Sequence, residues 1–250
     1  YCNYTEVLPK VCPKCRSGAL RTARLGTAEA VDHFKQLDSD LKVQQFDRDS
    51  ITTQGKLIKA LEAFNNRQTD LLVGTQMLSK GHDYHDITLA VVMGIDNLLS
   101  QSDYRAREKA LSLLIQIAGR SGRKDDALVW VQSFNESFFR DYLEDYEQFL
   151  IDEMKIREGR YPPTKKLARL LYAHKNGLKA KAEMERAVEA IKQIAQVQIV
   201  GYGASPIEKI ADKYRFQILL RSDKSTDLIR TIKQVKSPLC EIDMDPIEFT

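Results

Sequence analysis

Three consecutive stretches decide the fold: Leu89-Ala-Val-Val-Met93, then Arg105-Ala-Arg-Glu-Lys-Ala-Leu-Ser-Leu-Leu-Ile-Gln-Ile-Ala118, then Ala127-Leu-Val-Trp-Val-Gln132. The outer two are short apolar runs typical of buried strands, and the middle one repeats its apolar residues at helical spacing. A helix of this length between two strands favours a parallel α/β sheet. The pattern also places Trp130 in the core of that sheet.

The same alternation extends towards the amino terminus. Helices are predicted over 28–37 and 56–64, and strands over 41–46 and 71–74. The first half of the chain is therefore predicted to be a parallel α/β lobe. We assign it residues 21–136, after a cysteine-containing stub at 1–20.

The pattern changes after Pro162-Pro163. A long helix over Phe138–Arg157 forms a predicted connector, 137–160, which ends before the prolines because the residue before proline avoids helical geometry. The remainder, 161–250, predicts an α+β domain of order β-α-β-β-α-β, the ferredoxin-like split. Its elements are strand 167–174, helix 178–195, strand 197–200 closed by a turn at 201–206, strand 214–220, helix 225–235 and strand 240–245.

Composition excludes several classes of protein. Of the 250 residues, 43% are hydrophobic and 29% charged, which rules out a wholly disordered or collagen-like chain. No apolar run approaches the roughly 20 residues of a membrane span, and no secretory signal is visible. The chain opens at Tyr1-Cys2 without Met, so we expect a piece of a longer protein. Residues 161–250 carry a net charge of about +5 against about −2 before them, which permits a polyanionic partner.

The strongest motif is Gln116-Ile-Ala-Gly-Arg120-Ser-Gly-Arg123, at the end of the helix that follows a strand. Two arginines three residues apart direct planar guanidinium groups the same way, and the glycines permit close backbone approach. Such groups suit the charge that develops on a transferred phosphoryl group. An exposed Arg-rich turn is the alternative.

A second motif, Gly74-Thr-Gln-Met-Leu-Ser-Lys-Gly-His-Asp83, begins at the carboxyl end of a predicted strand. Ligands bind at this edge of open α/β sheets. Thr75 and the following amides can hold a phosphate, and Gly81 permits a turn that presents Asp83 to a polar ligand.

Cys12-Pro-Lys-Cys15 has the spacing of a zinc knuckle, because two intervening residues let both sulfurs reach one tetrahedral ion. A redox pair or a chance pair remains possible from spacing alone. The first fifteen residues contain one further cysteine, Cys2. Cys240 is expected to be a small buried side chain.

Taken together, these motifs resemble the second RecA-like lobe of superfamily 2 helicases, and most closely the bacterial replication-restart helicases of the primosomal protein N′ (PriA) family. Supporting segments are Cys-Pro-x-Cys, Gly26-Thr-Ala-Glu29, Asp47-Arg-Asp-Ser50, Ser102-Asp-Tyr-Arg-Ala-Arg-Glu108, Tyr161-Pro-Pro163 and Asp243-Met-Asp-Pro246. The resemblance runs over essentially the whole chain.

The resemblance implies roles for individual residues. Arg123 would be the arginine finger, Arg120 a second γ-phosphate contact, and Gln116 a residue that positions the hydrolytic site. Gly81 and Asp83 would face the nucleotide. The residues implied to contact the DNA backbone are Thr75, Gln76 and Lys80. A zinc ribbon for two ions is implied as well, with Cys2 on one ion and Cys12 and Cys15 on the other.

The family would use ATP with Mg²⁺ and act in the bacterial cytoplasm, associated with the nucleoid. Its partners would be forked and single-stranded DNA, single-stranded-DNA-binding protein and other primosome proteins, with no membrane. The 250 residues contain no Gly-x-x-x-x-Gly-Lys-Ser/Thr loop and no Asp-Glu-x-His motif, so we expect no ATP turnover from this chain alone. The alternatives are an RNA helicase-like lobe and a non-catalytic module that binds nucleic acid or protein.

Overall fold

The computed structural model describes residues 11, 12, 14–18, 26–79, 84, 87–101, 103–121 and 128–246. These residues form two compact units. The first lies within Val7–Leu99 and Glu108–Phe139, and the second within Ser100–Arg107 and Arg140–Thr250.

The first unit alternates strands and helices, as the sequence predicts. Its elements are α1 (Thr27–Leu37), β1 (Val43–Phe46), α2 (Gln54–Asn65), β2 (Leu71–Gly74), a 3₁₀ turn (Gln76–Ser79), β3 (Leu89–Val92), α3 (Asp96–Leu99), α4 (Ala106–Ser121) and β4 (Leu128–Val131), followed by α5 (Glu136–Leu143). The first two residues of α4 and the last four of α5 fall in the second unit.

Two parallel strand pairs build the first unit. β1 pairs with β2, placing Phe46 opposite Gly74, and β3 pairs with β4, placing Val91 opposite Trp130. Parallel pairing requires a crossover connection, which the intervening helices supply. The prediction of an α/β fold is therefore confirmed for this part of the chain.

Trp130 does not lie in the core. Its exposed fraction is 60%, and its neighbours on the same sheet face, Leu89, Val91 and Leu128, are 46%, 54% and 50% exposed. Side chains alternate between the two faces of a strand, so these four residues share one face, which is turned to solvent. Apolar strand sequences do not reveal whether both faces are covered, and here the expectation of a buried tryptophan was wrong.

The second unit contains a four-stranded sheet. Its elements are α6 (Tyr146–Arg157), β5 (Lys166–His174), α7 (Gly177–Ile191), β6 (Gln198–Ile210), β7 (Lys213–Ser222), α8 (Ser225–Val235) and β8 (Cys240–Met244). The strands lie in the order β6-β7-β5-β8, and every pair is antiparallel. From β5 onwards the chain order is β-α-β-β-α-β.

One hydrophobic core fills the space between this sheet and helices α7 and α8. Alternate residues of β5 and β7 supply one side of the core, and the buried faces of the helices supply the other. The members are Ala168, Leu170, Tyr172, Met184, Ala187, Val188, Ile191, Val197, Ile218, Leu220, Leu228, Ile232 and Val235, with Cys240 packed against them.

Two predicted elements differ from the structure. The long helix expected over Phe138–Arg157 is two helices, because the side chain of Asp145 accepts a hydrogen bond from the Gln148 N–H and begins α6 anew. The turn expected at 201–206 is part of β6, which continues to Ile210 with two register shifts. β6 is an edge strand, where proline and bulges are tolerated.

None of the described helices is both long and apolar enough to cross a membrane.

Candidate functional site

The carboxyl ends of β1 and β2 meet at a very close approach. A Cβ atom on Gly74 would lie 2.1 Å from the carbonyl oxygen of Phe46, on the neighbouring strand. No side chain can occupy that position, so glycine is required for the two strands to pair here. Thr75 and Asp47, the residues that follow Gly74 and Phe46, leave the sheet side by side at its carboxyl edge.

Thr75 and Gln76 present their side chains to solvent at this edge. The Thr75 carbonyl accepts a hydrogen bond from the Leu78 N–H at 3.0 Å, which closes the 3₁₀ turn. Thr75 and Gln76 lie at the start of this turn. Two of the three residues implied to contact DNA therefore lie on a short, ordered turn. Lys80, Gly81 and Asp83 lie outside the described residues.

The Asp47 carboxylate stabilises this edge by accepting hydrogen bonds. Its Oδ2 accepts hydrogen bonds from Thr27 Oγ1 and from Gln45 Nε2 at 2.6 Å, and its Oδ1 accepts from the N–H groups of Ser50 at 2.9 Å and Asp49 at 3.1 Å. Burial raises the pKa of the Asp47 carboxyl, but the hydrogen bonds from Gln45, Thr27 and Ser50 outweigh it and hold that pKa well below its usual range. Both oxygens already accept hydrogen bonds from the protein itself, so Asp47 shapes the edge and is not positioned as a ligand.

Asp96 likewise joins the segments that follow β3 and β4 by hydrogen bonds. Its carboxylate accepts hydrogen bonds from Ser133 Oγ at 2.8 Å, from Asn135 Nδ2 at 2.7 Å and from the Phe134 N–H at 3.1 Å. Burial raises the Asp96 pKa, and the Asn135 and Ser133 bonds more than offset this and lower it. Asp96 was not predicted as a site residue; an aspartate soon after one strand and Ser-x-Asn soon after the next were the available signals.

The arginine motif begins within α4. Gln116 has an exposed side chain, and a Cβ on Gly119 would meet no atom within 4 Å. Packing within the protein therefore does not require glycine at 119, and its small size leaves the helix surface open. The backbone of Arg120 lies in the last turn of α4, four residues after Gln116 and hence on the same helix face. Arg123 lies outside the described residues.

Cys12 and Cys15 share a tight turn. The Cys12 carbonyl accepts a hydrogen bond from the Arg16 N–H, and the Cys12 N–H donates to the Ser17 carbonyl, both at 2.8 Å. Arg16 adopts a φ of 56°, which reverses the chain. Hydrogen bonds from the backbone of Cys15 and then Lys14, and from the Cys15 thiol, lower the Cys12 pKa and so favour the thiolate. Cys2 lies outside the described residues, within which no group of three or more potential metal ligands occurs.

Three basic residues of the second unit have polar partners within the unit. Lys165 pairs with Asp223 at 2.5 Å and Arg169 with Asp243 at 3.1 Å. Arg221 donates to Gln198 Oε1 at 2.7 Å and to the Arg160 carbonyl at 3.1 Å.

The arginines and aromatic residues of β7 lie on opposite faces of the sheet. Arg215 and Arg221 point away from the helices, whereas Phe216 packs against the core beneath α7 and α8. Tyr214 lies on the same face as Phe216. β7 therefore does not combine stacking by these aromatics with phosphate contacts by these arginines on one face.

Two protein-family models match the chain. The helicase conserved C-terminal domain covers residues 20–125, and the primosomal protein N C-terminal domain covers residues 157–247. The first match spans the glycine edge, the 3₁₀ turn and α4 with its arginine motif. The second spans the four-stranded sheet with its helices.

Relatives that share one name align over nearly all of the chain. A replication restart protein PriA of Helicobacter pylori is 40% identical over 100% of the chain. The chain belongs to the PriA family. The PriA proteins of Bacillus subtilis and Synechocystis are each 33% identical, over 98% and 100% of the chain.

The chain spans less than half the length of these PriA relatives and corresponds to a C-terminal part of them. It covers 41% of the Helicobacter protein, 33% of the Bacillus protein and 31% of the Synechocystis protein.

Proposed function

We propose that the chain is the C-terminal part of an ATP-dependent DNA helicase that moves 3′ to 5′, recognises stalled or branched forks and initiates primosome assembly for replication restart. The observation that carries this proposal is the match of the helicase C-terminal domain to the unit that bears both the glycine edge and α4. The names of the PriA relatives supply the cellular role.

The arginine motif would act on the ATP phosphates. Arg123 would stabilise the charge on the transferred γ-phosphoryl group, as arginine fingers do, and Arg120 would add a second contact. Gln116, exposed on α4, would help to position the hydrolytic site. Gly81 and Asp83 would face the nucleotide.

Thr75, Gln76 and Lys80 would contact the DNA backbone. Thr75 and Gln76 are exposed at a carboxyl edge that Gly74 and Asp47 hold rigidly. Hydroxyl, amide and ammonium groups are typical phosphate contacts, which position a protein on a strand without reading its sequence.

ATP and Mg²⁺ would be bound largely by a phosphate-loop lobe elsewhere in the parent protein, because these 250 residues contain no such loop. We therefore predict ATP turnover by the parent and none by this chain alone. DNA-stimulated phosphate release from the purified chain, above that of an Arg123→Ala control preparation, would contradict this.

Zinc is the metal that the cysteine turn fits. Cys12 and Cys15 offer two sulfurs from one tight turn, and the lowered Cys12 pKa favours the thiolate that zinc binds. They would be half of one tetrahedral site, with Cys2 part of a second. Because structural zinc sites need four ligands, we expect metal analysis of the desalted chain to find zinc well below stoichiometry.

The second unit is proposed to be a ferredoxin-like domain. Its strand order, β6-β7-β5-β8, and its two helices on one face support this. We propose that it binds forked DNA and the acidic tail of single-stranded-DNA-binding protein, and that other primosome proteins are further partners. The protein would act in the cytoplasm, at the nucleoid.

Strand displacement by the parent protein tests the proposal. A partial duplex with a 3′ single-stranded tail should be unwound with ATP, and one with only a 5′ tail should not. Efficient unwinding of an RNA duplex instead would favour the RNA helicase alternative. DNA binding without unwinding or ATP turnover would favour a non-catalytic module.

A further inference from the structure

A phenylalanine of the first unit stands almost wholly in solvent. The side chain of Phe134 is 99% exposed, and it lies three residues after β4 ends at Val131. Single apolar side chains at a protein surface are ordinary and need no explanation by themselves. Phe134 differs because hydrogen bonds hold the backbone that carries it, so the ring is presented from a fixed position.

The Asp96 carboxylate holds this backbone. Its Oδ2 accepts a hydrogen bond from the Phe134 N–H at 3.1 Å, and its Oδ1 accepts from Ser133 Oγ at 2.8 Å and from Asn135 Nδ2 at 2.7 Å. Ser133 Oγ in turn accepts a hydrogen bond from the Asn135 N–H at 2.9 Å. Because the shared acceptor is a carboxylate, these bonds to it are stronger than those between neutral groups. All three residues of 133–135 are therefore tied to one side chain.

The ring lies where a ligand is expected. β3 and β4 pair in parallel, so Asp96 and Phe134 follow the carboxyl ends of neighbouring strands. Ligands of open α/β sheets bind outside this edge. A phenyl ring in solvent offers its flat face to another planar aromatic group. Both ligands of the proposed helicase, DNA and ATP, carry such a group in their nucleobases.

We propose that Phe134 stacks on a nucleobase, supplied either by single-stranded DNA or by the adenine of ATP. Stacking tolerates any sequence, because every base has an aromatic face. Asp96 is the positioning residue that holds the ring in place for this contact. The inference rests on the proposed helicase function, and it adds a base contact to the phosphate contacts proposed for that function.

Strand binding by the full-length parent protein tests DNA as the source of the base. The affinity is measured by fluorescence anisotropy, at one salt concentration, for an oligothymidine strand and for a strand of equal length whose central sugars lack bases. Phe134→Ala should weaken binding of oligothymidine about tenfold. It should weaken binding of the abasic strand by less than about twofold, because that strand offers no base for the ring.

ATP hydrolysis by the same protein tests adenine as the source. If the ring stacks on adenine, Phe134→Ala should raise KM for ATP about tenfold and leave the affinity for oligothymidine within about twofold of the original. Either pattern supports the stacking contact, and the two measurements together identify which base is bound.

Two further variants serve as controls. Phe134→Tyr keeps the aromatic face and should restore the affected ligand to within about twofold of its original affinity. Leu37→Ala removes another exposed apolar side chain of the same unit and should change neither affinity. Circular dichroism checks that each variant is folded.

The holding role of Asp96 is tested by Asp96→Asn. An amide cannot accept all the hydrogen bonds that the carboxylate receives, so we expect the affinity for the affected ligand to fall about threefold. In a Phe134→Ala background the same change should have no further effect, because the ring that it positions is already absent. Equal losses in both backgrounds would show that Asp96 acts on the fold and would overturn this role.

Unchanged affinities for both ligands in Phe134→Ala would overturn the inference. So would an equal loss for the oligothymidine and abasic strands, which would indicate lost phosphate contacts or fewer folded molecules. A lower melting temperature with both affinities unchanged would also overturn it, by showing that another part of the parent covers the ring. If the original parent binds neither ligand, the proposed function fails and the inference fails with it.

Discussion

The two units hold their shapes by different means. In the second unit, three of the four strands have 9 to 13 residues, and one face of their sheet packs on a single large core. In the first unit every described strand has four residues. Its strand ends are fixed by one required glycine and by two aspartates, Asp47 and Asp96.

This difference matches the positions of the proposed functions. Segments that contact ligands and move during a reaction need edges and turns, which pack poorly. Hydrogen bonds to a carboxylate such as that of Asp47 can order these turns without burying them. The described residues of the second unit rely instead on the core that the sheet shares with α7 and α8.

Leu170→Ala should give the largest loss. Leu170 is fully buried in the core of the second unit, and the cavity left behind should cost about 2–5 kcal/mol. Urea unfolding of the chain, followed by circular dichroism, measures it. Leu178→Ala removes the same atoms from a residue that is 80% exposed and should cost little. Equal losses for the two variants would mean that this core does not stabilise the unit.

Gly74→Ala should unpair β1 and β2. The added methyl group would meet the Phe46 carbonyl oxygen, which is backbone and cannot turn aside, so we expect a loss of about 3 kcal/mol. Hydrogen exchange at the amides of 71–76 should accelerate. Gly55→Ala, at an open position in the first turn of α2, should instead be neutral or slightly stabilising. Normal exchange in Gly74→Ala would disprove the close approach.

Asp47→Asn should cost about 1–2 kcal/mol, because the amide group cannot accept all the hydrogen bonds that the carboxylate receives. Asp49→Asn is the control, since Asp49 is exposed and contributes its backbone N–H to the same turn. A loss as large in Asp49→Asn would place the stabilisation in local charge rather than in the Asp47 hydrogen bonds.

The same pair of variants gives a pH dependence with a definite sign. The folded pKa of Asp47 is lowered, so its contribution is present above the unfolded pKa of about 3.9 and is lost as pH falls towards the folded value. The difference in unfolding free energy between the original chain and Asp47→Asn should therefore stay constant from about pH 7 to 5 and shrink below about pH 4. A difference that changes near neutral pH would show that another group is responsible.

Periodic elements were predictable from the sequence, whereas long-range polar pairs were not. The helix Ser225–Val235 has the predicted bounds, because its apolar face is strongly periodic. The break before α6 was visible in retrospect as Asp145 three residues before Gln148, a helix-start pattern hidden by the aromatic residues on both sides. The length of β6 was missed because Gly201 and Pro206 indicate a turn unless the strand is known to lie at an edge.

In the candidate site, too, residues marked by a local pattern were predictable and residues with distant partners were not. Gly74 and Thr75 were found because a glycine and a hydroxyl residue follow an apolar strand, a local signal. Asp96 was missed because its partners, Ser133 and Asn135, are distant in sequence and are brought close only by folding. No local pattern distinguishes a carboxylate that will be buried with such partners from one that stays in solvent.

The most direct test of the account is the rate of DNA-stimulated ATP hydrolysis by the full-length parent with Arg123→Ala. Loss of an arginine finger should lower kcat by roughly 10³-fold, while Lys124→Ala, the adjacent cation, should leave it nearly unchanged. Both variants should bind single-stranded DNA as the original protein does, because Thr75, Gln76 and Lys80 are untouched. An Arg123→Ala enzyme that hydrolyses ATP at the original rate would contradict the proposal that this chain supplies the arginine motif of a helicase.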